Sequence, residues 1–337
     1  MSQWRIYQGV PEPHDAIDRL PAPPPWRAFD DTAEPTPFDR SPDAGSGRRL
    51  PHVGAYRAGD ETVDAVNTAL YLRRPLLVTG DPGVGKSTLA YAVAHELKLG
   101  PVLRWPINSK SVLRDGLYRY DSLGRLEEAG IARERGEPAP PADLGRFIRL
   151  GPLGTALAPY ELPRVLLVDE IDKSDIDLPN DLLDAFEEGA FEIPELSRVA
   201  DQYPTVRVRP ADGGAPVTVR DGTVRCRTFP VTVLTSNGER EFPPAFLRRC
   251  VRLHLPAVSD DRQLRDIVEA HLEHAAAGAD ELITRFLQHA ETGELATDQL
   301  LNAVYLAGRA TGQGAPSTDQ LVRLVFQHLN ETVPAQP

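Results

Sequence analysis

Nine consecutive residues have the types and spacing needed to hold a phosphate chain. They match the pattern G-x-x-x-x-G-K-[ST] at every fixed position, between a short apolar run and an amphipathic segment. Glycines let the backbone aim its N–H groups inward, where a Cβ would obstruct a phosphate, and the lysine adds a cation for the β- and γ-phosphates. The predicted nucleotide-binding residues are Gly80, Asp81, Pro82, Gly83, Val84, Gly85, Lys86, Ser87 and Thr88.

Two adjacent carboxylates, Asp169 and Glu170, follow a run of four apolar residues further along the chain. This pattern is typical of a buried parallel strand, whose carboxyl end is where an α/β sheet binds its ligand. We predict that Asp169 and the Ser87 hydroxyl ligate Mg²⁺, and that Glu170 polarises a water for attack on the γ-phosphate. The alternative is an acidic helix cap after a strand. The glycine loop upstream favours the catalytic interpretation.

Four more residues are assigned to this chemistry. Asn237 ends another β-type run, and its side chain could orient the attacking water or contact the γ-phosphate; alone, it would be read as a turn residue. Arg248 and Arg249 lie too far along the expected sheet to serve their own chain's phosphates. They fit an arginine finger that reaches the next subunit in trans, with a surface salt bridge as the alternative. Tyr56 is a candidate contact for the adenine base, with ordinary packing as the alternative.

Hydrophobic periodicity predicts the elements that must position these residues. Short β-type runs alternate with helical patterns up to residue 255, which predicts a parallel α/β core. Residues 191–229 alternate apolar and polar residues between turn signals, which predicts hairpins with arginines on one face. Only helical patterns follow residue 259. The predicted domains are a proline-rich extended arm (residues 1–50), a nucleotide-binding domain (51–256) and a helical lid (257–332).

Two segments leave alternatives open. Trp4, Tyr7 and Trp26 make the arm too apolar for an idle linker, and they could dock it on its own domain or on a neighbouring chain. Residues 107–150 read as an insertion, either an element that moves and touches a client or a packed surface loop.

Composition limits the function classes. The net charge of −12 disfavours broad binding to a nucleic-acid backbone, although a local basic patch is compatible with it. The two cysteines, Cys226 and Cys250, belong to no C-x-x-C pair, which favours a reducing compartment. No secretory leader or membrane-spanning run is recognisable in the sequence, so the expected location is cytoplasmic.

Taken in order, the glycine loop, Asp–Glu strand, Asn-ended strand, arginine pair and helical lid resemble the AAA+ ATPases, and within them the MoxR-like group. The most telling stretches are LLVDEIDK at residues 166–173, LPNDLL at 178–183 and TSNGEREFPPAFLRR at 235–249. The resemblance covers residues 55–330. It implies a P-loop NTPase fold: a parallel five-stranded αβα core in the order 5-1-4-3-2, with inserted hairpins and a small C-terminal helical lid.

The resemblance also implies roles and partners. Residues 80–88 correspond to Walker A, Asp169 and Glu170 to Walker B, Asn237 to sensor 1, and Arg249 or Arg248 to the finger. The implied function is Mg²⁺-dependent ATP hydrolysis by a ring, usually of six identical chains, that remodels a protein client. Members of the group often work beside a von Willebrand factor type A protein.

One departure from the family pattern keeps other functions open. Residues 314–319 lack the arginine called sensor 2, for which Arg309 or Arg323 could substitute. An ATP-gated assembly scaffold with low turnover, in a multi-protein system such as one for defence, is therefore an alternative. A nucleic-acid motor that uses the hairpin arginines is a further one, which the acidic net charge disfavours.

Overall fold

A computed structural model of the chain describes residues 4–29, 34–41, 56–134, 141–256, 261–272, 279–290, 297–309 and 317–326. The predicted domain boundaries after residues 50, 256 and 332 fall in or beside segments outside these ranges, so they stay predictions. Among the described residues, no helix has both the length and the apolarity needed to cross a bilayer.

An all-parallel sheet of five strands forms the centre of the fold, with helices on both faces, which confirms the predicted α/β class. Across this sheet the order is β11-β1-β10-β5-β2. The strands in chain order are β1 Leu76–Thr79, β2 Leu103–Pro106, β3 Tyr118–Tyr120, β4 Ile148–Leu150, β5 Val165–Asp169, β6 Ala190–Glu192, β7 Thr205–Val208, β8 Val217–Arg220, β9 Thr223–Arg225, β10 Val231–Ser236 and β11 Val251–His254.

The helices pack around this sheet and, further along the chain, on one another. The described helices are α1 Asp60–Leu72, α2 Lys86–Glu96, α3 Leu113–Leu117, α4 Ser122–Glu134, α5 Pro152–Ala156, α6 Leu178–Glu188, α7 Pro194–Ser197, α8 Pro244–Leu247, α9 Asp261–Leu272, α10 Ala279–Ala290, α11 Thr297–Arg309 and α12 Thr318–Val325.

Two hydrophobic cores lie on opposite faces of the central sheet. Leu76 and Val78 join the core beneath α1 and α2, whereas Leu77 joins the core on the other face. This division follows from the strand period, since successive side chains point to opposite faces. All five residues of β5 are buried, as expected for a central parallel strand covered on both sides. The carboxylate that ends β5 is therefore held firmly at the edge of a packed sheet.

The predicted hairpins form a separate antiparallel sheet in the order β6-β9-β8-β7. The insertion between β2 and β5 contains a second small sheet, in which β3 pairs with β4. After β11, helices α9 to α12 bury a third core of their own, which includes Phe286 and Phe326 in edge-to-face contact. Ser317 caps α12 through a reciprocal pair of hydrogen bonds with Gln320.

The described part of the arm packs against its own domain. Ile6 and Tyr7 are buried against α1, where Asn67 satisfies the arm's backbone. The Asn67 Oδ1 atom accepts hydrogen bonds from the N–H groups of Ile6 (2.7 Å) and Tyr7 (3.1 Å), and Nδ2 donates to the carbonyls of Tyr7 and Val63 (both 2.7 Å). This use of all four hydrogen-bonding positions of the amide explains how an asparagine is fully buried in a helix.

A buried carboxylate holds the next part of the arm. The Glu96 side chain at the end of α2 accepts hydrogen bonds from the N–H groups of Gln8 (2.5 Å) and Val10 (2.8 Å) and contacts His14 Nε2 at 3.0 Å. Burial raises the pKa of Glu96, although these bonds oppose the shift. The arm is therefore fixed to α2 by polar contacts as well as by its apolar side chains.

Further along, the arm follows the amino ends of the central strands. Arg27 Nη2 donates to the carbonyl of Arg73 at 2.7 Å, just before β1. The Phe29 ring stacks on Phe229, just before β10, at a centroid distance of 5.7 Å. The Phe38 ring meets Tyr160, shortly before β5. The arm thus covers the edge of the sheet opposite to the carboxyl ends, where the predicted chemistry lies.

We expect the substitution Asn67→Ala to release the first part of the arm. Three arm backbone groups would lose their partner, which should lower the free energy of unfolding by about 2–3 kcal/mol. Denaturant unfolding measures this loss, and limited proteolysis should show faster cleavage between residues 4 and 20. The matched control is Thr68→Ala, since the Thr68 hydroxyl bonds only to the Asp64 carbonyl of its own helix. Equal proteolysis of the two variants would show that Asn67 does not anchor the arm.

Candidate functional site

The glycine loop connects β1 to α2 in a conformation that needs its glycines. At Gly80, φ is +147°, and a Cβ would lie 2.3 Å from the carbonyl oxygen of Leu255. At Gly85, immediately before α2, φ is +92°. The loop can therefore turn between strand and helix with its backbone exposed to a ligand, and α2 presents its N-terminal N–H groups and positive dipole end there.

Lys86 lies at the start of α2 with a side chain that is almost fully buried. Its Nζ donates to the carbonyls of Gly80 at 2.6 Å and Asp81 at 2.7 Å, so the cation is held within the loop. Burial lowers the pKa of Lys86, and nearby carboxylates oppose this, with Asp172 having the largest effect among them. A phosphate in the loop would offer this cation a full negative charge, whereas the two carbonyl oxygens carry only partial charges.

The Asp169 carboxylate, at the carboxyl end of β5, accepts hydrogen bonds from side chains of α2, β2 and β10. Its Oδ1 accepts hydrogen bonds from the Ser87 hydroxyl at 2.6 Å and the Thr235 hydroxyl at 2.9 Å. Its Oδ2 accepts from Arg104 through Nη2 (2.6 Å) and Nε (3.0 Å). Burial pushes the pKa of Asp169 upward, but the bonds from Ser87, Arg104 and Thr235 together outweigh it and hold the pKa below its ordinary value. The group is a carboxylate, poised as an oxygen ligand.

Ser87 and Asp169 form a pair of oxygen ligands suited to Mg²⁺. A hydroxyl and a buried carboxylate only 2.6 Å apart are the donor types that a hard divalent cation prefers. The structure thus brings together the predicted ligands Ser87 and Asp169. Within the described residues there is no cluster of three or more His, Cys, Asp or Glu side chains that could hold a metal by themselves. A site here would need substrate phosphates or water to complete it, as is usual for magnesium.

Glu170 follows Asp169 in an unusual backbone conformation. Its φ is +62°, in the left-handed region that non-glycine residues rarely adopt. Its N–H donates to the Thr235 hydroxyl at 2.8 Å, which fixes the turn. The side chain is 43% exposed and pairs with Lys173 at 2.9 Å. The turn separates the two carboxylates, so that Asp169 faces the glycine loop while Glu170 stays accessible. Residues in such strained conformations cluster at functional sites.

Asn237, the predicted sensor, is tied to the same edge through its backbone. Its N–H donates to Asp172 Oδ2 at 2.8 Å, and the N–H of Glu239 donates to the same oxygen at 3.1 Å. Asp172 is buried, and its Oδ1 has no hydrogen-bond partner among the described residues. This side chain therefore clamps the loop after β10 to the turn after β5. It is a positioning residue for Asn237.

Arg248 and Arg249 lie at the opposite edge of the sheet from the glycine loop. Both lie within three residues of the start of β11, whose amino end is separated from its carboxyl end by about 13 Å at the usual rise per residue. Arg249 pairs with Glu187 at 3.1 Å, and Arg248 Nε donates to the Pro244 carbonyl. Both arginines are exposed. The structure therefore does not bring either of them to the Asp169 site of its own chain.

The remaining predicted residues lie as follows. The Tyr56 ring packs against the glycine loop, with Cε2 3.3 Å from the position of a Cβ on Gly85, and burial raises its pKa to about 12. Residues 314–316 of the expected sensor 2 segment lie outside the described residues. Arg309 lies over the Tyr305 ring of its own helix, at 5.6 Å from the centroid, and Arg323 is exposed on α12. Their role stays a prediction.

Sequence analysis missed Arg104, Thr235 and Asp172. Each acts through a contact between different strands or loops, which no local spacing reveals. One signal was available for Arg104, a cation placed between the apolar residues Leu103 and Trp105 inside β2. Thr235 could have been noticed as a hydroxyl just before Asn237 at the end of another strand.

A comparison of the chain with models of known protein families finds no match. The functional assignment therefore depends on the geometry above and on the resemblance of the motifs.

We expect Arg104→Gln to strengthen Mg²⁺ binding in the presence of nucleotide. The Arg104 guanidinium occupies Asp169 Oδ2, so Mg²⁺ competes with a tethered cation. The Arg104 side chain is 45% exposed, and a partly exposed ion pair contributes up to about 1 kcal/mol, so the half-saturating Mg²⁺ concentration should fall by about threefold to fivefold. Titration of Mg²⁺ against the binding of a fluorescent ATP analogue measures this shift.

Arg114→Gln is the matched control for this titration. Arg114 also pairs with a carboxylate, Glu195 at 3.1 Å, but in the insertion, away from the glycine loop. If Arg104→Gln leaves the half-saturating Mg²⁺ concentration unchanged or raises it, Arg104 does not compete with the metal.

Proposed function

We propose that the chain is a Mg²⁺-dependent ATPase of the AAA+ class, similar to the MoxR-like group, that assembles into a ring and remodels a protein client. The observation that carries the proposal is the convergence of Lys86, Ser87 and Asp169 at the carboxyl edge of one parallel sheet. The five-stranded parallel sheet, in the order β11-β1-β10-β5-β2, is compatible with a P-loop NTPase core and supports the proposal. A ring of six and a von Willebrand factor type A partner belong to the proposal through the resemblance alone. The cytoplasmic location belongs to it as an expectation from the sequence.

Each residue has a defined task in this proposal. The loop N–H groups and Lys86 bind the phosphates, and the buried position of Lys86 strengthens this attraction because water screens it less. Ser87 and Asp169 would hold Mg²⁺, which when bound offsets the charge that develops on the phosphate oxygens. Glu170 accepts a proton from the attacking water, and Asn237 orients that water. The adenine base would lie near Tyr56.

A positive side chain from a neighbouring chain completes the site. Arg249 cannot serve its own phosphates from the amino edge of β11, but on an exposed surface it can meet the next subunit. It would there stabilise the negative charge of the transition state, as arginine fingers do. Hydrolysis therefore depends on assembly, and ring formation is part of the catalytic proposal.

The ion pairs of the groups that are proposed to act favour a second candidate, an ATP-gated scaffold with low turnover. Asp169 is paired with Arg104, Glu170 with Lys173, and Arg249 with Glu187. Because these charged side chains are paired within the chain, they are not free to act on nucleotide. A partner would have to break the pairs before hydrolysis could begin. A phosphate-release assay with and without candidate partners separates a motor from such a scaffold.

We expect Glu170→Gln to bind ATP but to release phosphate about 10²–10⁴-fold more slowly, because the amide cannot accept the proton. Binding of a fluorescent ATP analogue and a phosphate-release assay measure the two properties. Glu239→Gln, an exposed carboxylate on the loop after β10, is the control and should keep the parent rate. Hydrolysis by Glu170→Gln at the parent rate would refute the general-base assignment. Lys86→Ala should lose binding itself, which distinguishes a missing base from a missing nucleotide.

We expect chains with Arg249→Ala and chains with Glu170→Gln to restore activity when mixed. Each variant alone lacks one half of every interface. In randomly mixed rings, about a quarter of the interfaces combine an intact Glu170 with an intact Arg249, so phosphate release should recover to about that fraction. Repeating the mixture with Arg248→Ala tests which arginine acts. An absence of recovery in rings shown by native mass spectrometry to be mixed would exclude a finger in trans.

A further inference from the structure

Three arginines from separate segments lie side by side in the inserted sheets. Arg119 of β3 is directly opposite Arg149 of β4, and Arg149 is bridged in turn to Arg209, the residue after β7. Residues that are directly paired in neighbouring strands present their side chains on the same face. Arg119, Arg149 and Arg209 therefore form an arginine row, three neighbouring chain segments wide.

The arginine row is an unfavourable arrangement by itself. Like charges directly opposite each other destabilise a sheet. All three side chains are exposed, and none forms an ion pair within the described ranges, where the one side-chain bond of the row joins Arg149 Nη2 to the Ala211 carbonyl at 2.8 Å. Two arginines nearby are neutralised, Arg164 by Asp212 at 2.7 Å and Arg114 by Glu195 at 3.1 Å. The three arginines of the row have no such anion within the described ranges.

A cleft of about 540 Å³ opens beside the arginine row. Arg119, Arg149 and Lys110 provide its cations, and Asp115 is the only carboxylate among its described lining residues. The lining also has apolar surface, contributed by Trp105, Pro106, Leu150 and Pro152. A cleft of this volume accommodates a short stretch of chain rather than a single ion. Its chemistry combines excess positive charge with apolar contact.

We propose that the arginine row and its cleft bind an acidic peptide segment of a protein partner. Alternating carboxylates would neutralise the row, and the apolar side chains between them would enter the cleft. A nucleic acid fits less well because the net charge of −12 repels an extended polyanion. The row is also only about 10 Å across, given the usual strand spacing, so it can contact only a short peptide segment. This proposal does not depend on ATP hydrolysis.

Fluorescence anisotropy with a labelled short peptide that alternates glutamate and leucine tests the proposal on the full chain. The double variant Arg119→Gln/Arg149→Gln should weaken binding by about fivefold to tenfold, and rising salt should weaken binding to the parent chain. The matched control is Arg220→Gln/Arg225→Gln, which removes two exposed arginines of β8 and β9 that do not line the cleft. It should change the affinity by less than about twofold. A lysine–leucine peptide of the same length should not bind.

Several results would overturn the proposal. One is equal affinity of the parent chain and the row variant, and another is no binding of the acidic peptide up to about millimolar concentration. Tighter binding of a single-stranded oligonucleotide, lost in the row variant, would assign the row to nucleic acid instead. The melting temperature should not fall in the row variant, because its substitutions relieve repulsion between like charges. ATP binding should also be unchanged in it, so this proposal and the proposed ATPase function can fail separately.

Discussion

The carboxylate of Asp169 is the group on which the candidate site depends. Hydrogen bonds from Ser87, Thr235 and Arg104 join it to α2, β10 and β2. A carboxylate buried to this extent is costly unless its oxygens are satisfied, so the three donors are a condition of the fold as well as of the site. Arg104 and Thr235 reach it because β2 and β10 flank β5 in the sheet, and Ser87 reaches it from the start of α2. The topology of the sheet therefore assembles the site.

Partly exposed ion pairs hold the charged groups that are proposed to act. These pairs are Arg104 with Asp169, Lys173 with Glu170, and Glu187 with Arg249. Such pairs contribute up to about 1 kcal/mol, little compared with what phosphate charges or a neighbouring subunit can offer. The ion pairs therefore hold these side chains in place, but breaking them costs little free energy. The hydroxyl donors differ in kind: Ser87 is half-buried and Thr235 is buried, and both keep Asp169 in place whichever exposed pairs are broken.

Local requirements of the backbone could be predicted from the sequence, whereas contacts between distant segments could not. The glycine loop was predictable because its turn needs positive φ angles, +147° at Gly80 and +92° at Gly85, which is a local requirement that glycine meets. In the same way, α6 ends at Gly189 with φ +58°. The pairing of β3 with β4 was missed because residues 121–147 separate them. Arg104 was missed for a related reason: its importance comes from β5, which is its neighbour in space but lies far away in sequence.

The arm and the proposed finger meet at one side chain, although no motif connects them. Glu187 of α6 accepts from Arg249 Nε at 3.1 Å on one oxygen and from Arg27 Nη1 at 3.2 Å on the other. Arg27 is buried and is also bonded to the Arg73 carbonyl, so it fixes Glu187 from the arm side. Arg249 is exposed and can leave. If the arm detached, Glu187 would lose its fixed partner and hold Arg249 more tightly. A docked arm thus weakens the pair that retains Arg249. In the proposed function, this would connect the amino edge of the sheet to the phosphates of a neighbouring chain.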